Sequence, residues 1–314
     1  MFAYALAMDA LLSCLIAGCG YVGTRFARRE GGRRPVLAVV RSAQAQAALA
    51  VSGSAPRTLR IDFDAPPDPA LQSALAAAAE RAAVVYLAPP PDHGVTDPRL
   101  ESFLAQLGNA LPAVVVYIST TGVYGDAGGA QVDESTPVAP VNERSQRRVA
   151  AESTVQAWCV ARGVRCVILR VPGIYGPHRL PLERLRRNEP SLRDEDAGPG
   201  NRIHVDDLAA TMAAAIDRPQ AQGIYNVTDG DHASTTAYLR LTAAAAGLPP
   251  PTLIAKSEAQ ASIPAGMLSF LLESRRVDNR RMLEELGVQL QYPTLQSGVL
   301  ASIAEMRLQE ASAS

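Results

Sequence analysis

A glycine-rich turn near the start of the chain constrains the fold more than any other feature. Residues 15–23 read L-I-A-G-C-G-Y-V-G, which places G-x-G-x-x-G between a short apolar run and a helix-like stretch. In such a motif Gly18 allows a tight turn, Gly20 lets the backbone approach phosphate oxygens, and Gly23 lets the helix pack closely on its strand. Because amides at a helix N-terminus attract anions, the pattern predicts that a dinucleotide binds here.

A second apolar run indicates how the ribose of that dinucleotide is recognised. Residues 35–40, P-V-L-A-V-V, have the length of a strand and end in Arg41 and Ser42, about twenty residues after the glycines. An acidic residue at this point would bind the ribose 2′-hydroxyl of NAD(H) and repel a 2′-phosphate. Arg41 reverses this preference, because its fork of donors suits a phosphate. We therefore predict NADP(H) in preference to NAD(H), with Tyr21, Val22, Arg41 and Ser42 in the cofactor site; the alternative is a solvated arginine at a strand end.

Composition excludes several other functions. The 314 residues are 47% hydrophobic and carry a formal net charge of −1, so they offer no field for nucleic acid or an anionic membrane. The four cysteines form no C-x-x-C pair and have no histidine at zinc spacing, which predicts small buried side chains in a reducing compartment and no metal site. We expect a cytoplasmic protein. Residues 1–10 are interpreted as a short extension, with Met8 as an alternative start.

Strand-like and helix-like periods then alternate along the chain, as in βαβ units. This alternation predicts an α/β fold, a Rossmann-type doubly wound parallel sheet with a smaller C-terminal substrate lobe. We expect the Rossmann domain over residues 11–172 and the lobe mainly over 173–314, with some segments returning to the first domain. The predicted strands are Leu12–Ala17, Val36–Val40, Thr58–Ile61, Ala83–Leu87, Ala113–Ser119 and Val164–Arg170. The last helix is predicted from near Asp278 to Leu286, with Gly287 as its stop.

Polar side chains follow the predicted strands at their carboxyl ends, where ligands bind in such sheets. Asp62 could accept a hydrogen bond from an adenine amino group or could simply cap the following loop. Ala88 begins the stretch A-P-P-P, whose stiff backbone would lie beside the cofactor. Residues 119–125, S-T-T-G-V-Y-G, carry hydroxyls that could bind a substrate oxygen, although such clusters also form turns.

Several ordered motifs together resemble the extended short-chain dehydrogenase/reductase family, the NAD-dependent epimerase/dehydratases. They are the glycine motif, S-T-T-G-V-Y-G at 119–125, L-R-V-P-G-I-Y-G-P at 169–177, I-H-V-D-D-L-A at 203–209, G-I-Y-N-V at 223–227 and R-V-D-N at 276–279. The resemblance runs from Leu12 to about Ile303. It implies a Rossmann fold, a nicotinamide cofactor and a small-molecule substrate, and it leaves a homodimer as the candidate assembly.

The resemblance also shows a departure at the expected catalytic pair. Family members generally use a Ser or Thr after the fifth strand, which Thr120 matches, and a Tyr-x-x-x-Lys pair on the next long helix. Here that pair is Arg144 and Arg148. A guanidinium stays protonated and cannot cycle a proton, although Arg144 can polarise a carbonyl and Arg148 can still hold the ribose. This predicts membership of an atypical branch. Tyr124 is the nearest substitute acid in sequence.

Arginines dominate the start of the second lobe. In the family this region closes over nucleotide sugars or other anions, and the resemblance implies that Thr121, Arg179 and Arg202 bind substrate. A solvated charged helix is the alternative for the remaining arginines.

Two functions remain open from sequence. The first is an NADP(H)-dependent oxidoreductase or epimerase/dehydratase that acts on a small carbonyl or nucleotide-sugar substrate. The second is a catalytically silent NADP(H)-binding sensor or accessory protein. The missing tyrosine favours the second, and the complete second lobe favours the first.

Overall fold

A seven-stranded parallel sheet forms the centre of the computed structural model, which describes residues 11–50, 56–263 and 273–313. Its strands are β1 (Cys14–Ala17), β2 (Val36–Val40), β3 (Arg57–Arg60), β4 (Ala83–Tyr86), β5 (Val114–Thr120), β7 (Arg165–Val171) and β11 (Gly223–Asn226). The spatial order is β11-β7-β5-β4-β1-β2-β3. Because the chain moves outward from β1 in both directions, the order reverses between β1 and β4, and a ligand crevice is expected at the carboxyl ends there. The predicted fold class is confirmed. The predicted extension at residues 1–10 lies outside the described residues.

Helices cover both faces of this sheet. One face carries α1 (Tyr21–Glu30), α2 (Ala43–Ala50) and α7 (Val205–Asp217), and the other carries α3 (Pro69–Ala79), α4 (Pro98–Gln106) and α5 (Glu143–Arg162). The central strands are largely apolar, whereas the edge strand β3 reads R-T-L-R. Their side chains alternate between the two cores: Val114 and Val116 face the first, whereas Val115 and Tyr117 face the second. The cysteines at 14, 19, 159 and 166 are all buried, as predicted.

Local signals explain where the helices begin and end. Asp68 caps α3 by accepting from the amides of residues 70 and 71, and Asn142 caps α5 by accepting from the Ser145 amide. Gly163 ends α5 in the left-handed conformation, with φ of 64°. The Asn142 cap fixes the N-terminus of α5, and with it Arg144, beside the carboxyl end of β5.

Outside the main sheet, the chain adds three two-stranded parallel pairs and further helices. The short strands are β6 (Gln131–Val132), β8 (Gly173–Tyr175), β9 (Ser191–Leu192), β10 (Arg202–His204), β12 (Leu253–Ile254) and β13 (Arg276–Val277), paired as β8 with β10, β9 with β12 and β6 with β13. The helices are α6 (Leu182–Arg186), α8 (Thr235–Ala246), α9 (Lys256–Ser262), α10 (Arg280–Glu285) and α11 (Leu295–Ala313). The strand β11 joins the main sheet beside β7. The division into domains at residue 172 stays a prediction.

One element differs from expectation. The sequence predicted the last helix near Asp278–Leu286, but α10 is followed by the 19-residue helix α11. Leu295, Val299 and Ile303 are spaced four residues apart and bury one face of α11 against α8 and Tyr175. The prediction that the last helix ends at Leu286 was therefore wrong. The apolar spacing that marks α11 is present in the sequence.

No helix in the described parts of the chain combines the length and the apolarity that a membrane span requires.

Candidate functional site

The glycine turn has the backbone geometry that its motif predicts. Gly18 adopts a positive φ of 89° and lies against the loop after β4: a Cβ there would fall 2.4 Å from the Ala88 nitrogen. A Cβ on Gly23 would lie 3.3 Å from Ile16 Cγ2, so α1 packs tightly on β1. A Cβ on Gly20 would meet no atom within 4 Å, which leaves open space above the turn. The turn therefore offers room for a ligand only at Gly20.

The N-terminus of α1 carries no side-chain cap. Gly20 is the capping residue and has no side chain to accept from the first amides of the helix, which include those of Tyr21, Val22 and Gly23. Uncapped amides of this kind bind anions. Buried beneath them, Val22 packs into the core of the sheet.

Arg179 lies beside this turn and not in the large cavity described below. Its guanidinium carbon is 4.6 Å from the centre of the Tyr21 ring, and the Tyr21 hydroxyl donates to the Pro177 carbonyl oxygen at 2.8 Å. The structure thus brings Arg179 to the predicted phosphate side. This position does not support the predicted substrate contact of Arg179.

The carboxyl ends of β2 and β3 carry exposed charges. Arg41 follows β2, and its side chain is 66% exposed, with Nη1 3.8 Å from an Asp64 oxygen. Ser42 accepts from the Ala45 amide at 3.2 Å and so begins α2. Asp62 is exposed and accepts from the Asp64 amide at 3.0 Å, the loop interaction that the sequence left as an alternative. Both Arg41 and Asp62 are accessible to a ligand.

A cavity of about 470 Å³ opens at the carboxyl ends of β5 and β7. Adjacent strands lie about 5 Å apart, so β5 is about 10 Å from β1, with β4 between them. The cavity thus lies where the far end of a dinucleotide bound at the glycine turn would reach. Its lining comprises Asp92, Thr120, Thr121, Gly122, Asn142, Glu143, Arg144, Ser145, Arg147, Pro172, Gly173, Gly198, Pro199, Gly200, Asn201, Arg202, Thr235, Glu273 and Arg275.

Predicted residues from three segments meet in this cavity. Thr120 ends β5, and its Oγ1 accepts from the Gly122 amide at 3.2 Å, which starts a 3₁₀ turn. Thr121 is buried in that turn, and Arg144 is exposed on the first turn of α5. The structure therefore brings together Thr120, Thr121, Arg144 and Arg202 in one cavity.

Arg202 is a buried cation in the cavity wall. Its residue is 7% exposed, and its partners are the Ala233 carbonyl oxygen at 2.7 Å and the Thr235 hydroxyl at 3.2 Å. The guanidinium also lies 4.5 Å from the centre of the Tyr238 ring. Neither hydrogen-bond partner is a carboxylate, and burial lowers the pKa of Arg202, although the nearby carboxyl groups of Asp229 and Asp231 act in the opposite direction. A buried arginine without a carboxylate hydrogen-bond partner favours an anionic ligand.

Two further buried arginines line the same cavity. Arg147 donates to the Gly94 carbonyl oxygen, and Arg275 forms an ion pair with Glu273 at 3.0 Å. The Nε of each is buried and has no hydrogen-bond partner among the described residues. These arginines add positive charge and unused donors to the cavity wall.

Arg148, predicted to hold the ribose, is turned toward the sheet. Its Nη1 donates to the Tyr117 hydroxyl at 3.0 Å and to the Ile118 carbonyl oxygen at 3.2 Å. The side chain is half-buried and is not part of the cavity lining. These contacts fix the guanidinium behind the end of β5.

Tyr124 is placed as a structural residue. It is 3% exposed, its hydroxyl donates to Asn226 Oδ1 at 2.8 Å, and Arg170 lies over its ring at 4.8 Å. Burial raises the pKa of Tyr124. The contacts of Tyr124 weigh against its predicted catalytic role.

His204 is also buried. It is hydrogen-bonded to Ser302 at 3.2 Å, and burial lowers its pKa to about 4.

Sequence reasoning missed several residues of the cavity. Arg147 follows Arg144 by three residues on α5, so helical spacing could have placed both on one face. Asn142, Asn201 and Arg275 carried no such signal, because they come from separate segments that only the folded chain brings together.

Across the described ranges, no group of three or more His, Cys, Asp or Glu side chains is placed to hold a metal ion.

The parallel sheet with its order reversed beside β1, the glycine turn and the appended second half define a Rossmann-type α/β protein of the extended kind. The chain belongs to the NAD dependent epimerase/dehydratase family, whose profile matches residues 14–228. The resemblance stated from the sequence motifs is thereby confirmed at the level of the family. The atypical branch stays a prediction.

Individual relatives agree with this assignment. The chain is 31% identical over 216 residues to a dTDP-glucose 4,6-dehydratase of Mycolicibacterium smegmatis, covering 60% of this chain and 64% of that protein. The matches thus span less than two thirds of the curated relatives. A functionally unknown conserved protein from Silicibacter pomeroyi superposes with a TM-score of 0.78 at 29% identity over 94% of this chain and 99% of its own. MoeE5, solved with UDP-glucose and NAD, superposes with a TM-score of 0.73 at 21% identity over 95% and 99%, a likeness that shows the fold alone.

Proposed function

We propose that this protein binds NADP(H) and acts as an oxidoreductase or epimerase/dehydratase on a small carbonyl or nucleotide-sugar substrate. The observation that carries the proposal is the arrangement along one sheet edge. The uncapped glycine turn after β1 and the arginine-lined cavity after β5 and β7 lie about 10 Å apart, with only β4 between them. A dinucleotide that spans this edge would deliver its nicotinamide to the cavity.

The residues of the turn fit the pyrophosphate. Gly20 leaves the space that phosphate oxygens need, the first amides of α1 lack a side-chain acceptor, and Arg179 adds a positive charge over Tyr21. Ala88 packs against Gly18 and would flank the dinucleotide at the end of β4. We therefore assign Arg179 to the cofactor and not to the substrate.

The adenosine end would be recognised after β2 and β3. Exposed Arg41 offers donors to a 2′-phosphate, Ser42 flanks it at the start of α2, and Asp62 offers a carboxylate to the adenine amino group. This arrangement supports a preference for NADP(H) over NAD(H).

In the cavity, a bound nicotinamide would supply or accept a hydride. Thr120 would orient the substrate oxygen, with Thr121 beside it, and the Arg144 guanidinium would stabilise negative charge on that oxygen without giving up its proton. Buried Arg202 would bind an anionic group of the substrate, which agrees with the nucleotide sugar in the name of the mycobacterial relative. Arg148 is not assigned to the ribose, because its guanidinium is bonded to the Tyr117 hydroxyl and lies outside the cavity lining.

The titratable residues of the cavity favour the second candidate, a catalytically silent NADP(H)-binding sensor. Among the described residues that line it, the ionisable ones are four arginines and three carboxylates, with no Tyr, His, Lys or Cys. A proton for an alkoxide must then come from a carboxylic acid or from water, and losing a positioned acid costs on the order of 10²–10⁴ in rate. The complete cavity favours the enzyme.

We place the protein in the cytoplasm, where its buried free cysteines stay reduced.

Titration calorimetry tests the cofactor assignment. NADPH should bind more tightly than NADH, and Arg41→Ala should remove the difference. The matched control is Arg57→Ala, which removes an exposed arginine from the amino end of β3 and should leave the difference unchanged. Equal affinities for the two nucleotides in the parent protein would refute the 2′-phosphate argument.

Turnover separates enzyme from sensor. NADPH absorbance is followed with a set of carbonyl compounds, whose reduction consumes NADPH. Conversion of nucleotide sugars, including dTDP-glucose, is followed by chromatography of the products with either the oxidised or the reduced cofactor present, because epimerisation and dehydration return the hydride to the sugar and leave the absorbance unchanged. Turnover that falls in the Thr120→Val variant supports the enzyme. Bound NADPH with no turnover of any substrate in the set supports the sensor.

A further inference from the structure

A chain of ion pairs joins the ends of β2 and β3 to helix α4. Arg99 donates from Nε and Nη2 to the two Asp64 oxygens at 2.7 and 2.6 Å, and Arg41 Nη1 lies 3.8 Å from one of them. Arg99 Nη1 also donates to the Pro89 carbonyl oxygen at 3.0 Å, and Pro89 follows Ala88, which packs on Gly18. One carboxylate is thus shared by two guanidinium groups at the adenosine side of the glycine turn.

Arg99 and Arg41 differ in how closely their guanidinium groups pair with the Asp64 carboxylate. The Arg99 side chain is 20% exposed and forms a bidentate ion pair with the carboxylate, whereas the Arg41 side chain is 66% exposed and too far from the carboxylate for a hydrogen bond. A phosphate monoester carries more negative charge than a carboxylate and has three acceptor oxygens. A phosphate at the position of the Asp64 carboxylate could therefore engage both guanidinium groups at once, which Asp64 does not.

We propose that Asp64 is an intramolecular competitor for the 2′-phosphate of NADP(H). In the free protein its carboxylate is the partner of Arg99 and Arg41, and on binding, the 2′-phosphate replaces it as the partner of both. This inference rests on the proposed NADP(H) function and adds Asp64 and Arg99 to Arg41 as residues that determine cofactor preference. NAD(H) carries a hydroxyl at this place and gains nothing from displacing the carboxylate.

The competitor is charged at neutral pH. Hydrogen bonds from Arg99 hold the pKa of Asp64 below its usual range, and the charge of Arg41 acts in the same direction. The competition is thus present at neutral pH. It would reduce the preference for NADP(H) over NAD(H) that Arg41 and Arg99 produce.

Calorimetry on the full chain with NADPH and NADH tests the inference. Asp64→Asn keeps the shape of the side chain and removes its charge, so NADPH should bind about three- to tenfold more tightly and NADH should change less than about twofold. The matched control is Glu101→Gln, which removes one exposed negative charge from the first turn of the same helix as Arg99 and should leave both affinities near those of the parent.

A second variant tests the arginine. Arg99→Gln should weaken NADPH about three- to tenfold and leave NADH within about twofold, because only the phosphate needs the guanidinium. If the parent prefers NADPH but Asp64→Asn leaves the ratio of the two affinities within twofold or lowers it, the inference is overturned while the proposed function stands. If the parent binds neither nucleotide, the proposed function fails together with the inference.

Discussion

Gly18 and Ala88 pack so closely that a Cβ on residue 18 would lie 2.4 Å from the Ala88 backbone nitrogen. This contact joins the turn after β1 to the loop after β4, at the point where the strand order reverses. Gly18 also has a φ of 89°, a conformation that residues with a side chain rarely adopt. The glycine is thus required by the fold itself, before any ligand is considered.

Gly18→Ala and Gly20→Ala should therefore separate stability from binding. Gly18→Ala should lower the free energy of unfolding by on the order of 2 kcal/mol, because the new methyl group meets backbone atoms at a positive φ. Gly20→Ala meets no atom within 4 Å and should cost about 1 kcal/mol or less, yet it should weaken NADPH at least about tenfold by filling the phosphate space. Urea unfolding and calorimetry measure the two effects. Unchanged NADPH affinity in Gly20→Ala would count against a pyrophosphate at this turn.

Thr120→Val should lower kcat while costing little stability. The hydroxyl contributes one hydrogen bond, from the Gly122 amide at 3.2 Å, so its loss should cost about 1 kcal/mol in unfolding free energy. A threonine that also accepts an amide in a turn, Thr136, lies outside the cavity lining and accepts from Asp133 at 3.0 Å. The Thr136 hydroxyl also donates to Asp133 Oδ1 at 3.1 Å, so Thr136→Val should cost at least as much stability and leave kcat unchanged. Equal turnover in the two variants would remove Thr120 from the substrate site.

Gly200→Ala should weaken an anionic substrate without affecting the cofactor. A Cβ at residue 200 would fall 2.6 Å from Arg202 Nη1 and 2.6 Å from the Ala233 carbonyl oxygen, so the guanidinium would have to move. The expected result is about a tenfold weaker affinity for dTDP-glucose as probe, with NADPH affinity unchanged. Gly173→Ala is the control in the same cavity, because its Cβ would meet only ordinary contacts at 3.6 and 3.8 Å. Identical probe affinities in both variants would contradict an anion site at Arg202.

The sequence predicted most of the sheet well because its central strands are buried on both faces. Continuous apolar runs bounded by turn residues mark such strands. The strand β2 at Val36–Val40 coincides with its prediction, and β1, β3, β4, β5 and β7 differ from theirs by one or two residues at their ends, whereas β11 was not predicted as a strand. The glycine turn was predicted from its motif, and the positive φ of Gly18 is a backbone requirement of that motif. The missed helix α11 has a regular spacing of Leu295, Val299 and Ile303 that a closer count of the pattern would have found.

The direction of long side chains could not be predicted in the same way. Arg148 and Arg179 stand in motif positions, but an arginine side chain reaches several ångströms in any direction that its neighbours leave open. Tyr117 and the Ile118 carbonyl draw Arg148 toward the sheet, and the Tyr21 ring draws Arg179 to the glycine turn. These partners lie 30 or more residues away along the chain, so sequence spacing carries no information about them.

Asp229→Asn should change the pH dependence of stability. Asp229 is buried beside Arg202, its Oδ2 has no hydrogen-bond partner among the described residues, and burial raises its pKa to about 7. The folded state therefore binds a proton between about pH 4 and 7 that the unfolded state has released. Stability from this group is present below the unfolded pKa and is lost as the pH rises through 7.

The amide of Asn cannot ionise, so the variant avoids that loss. The stability advantage of Asp229→Asn over the parent should be larger at pH 8 than at pH 5 by on the order of 2 kcal/mol, and it should shrink further as the pH falls toward 4. Urea unfolding at the two pH values measures it. His204 acts in the opposite sense, because burial lowers its pKa to about 4, so the unfolded state binds the extra proton and stability falls as the pH drops from about 6.5. Since His204 is present in both proteins, its contribution cancels in the difference between them. A difference that does not vary with pH would show that Asp229 is ionised in the folded protein at both values.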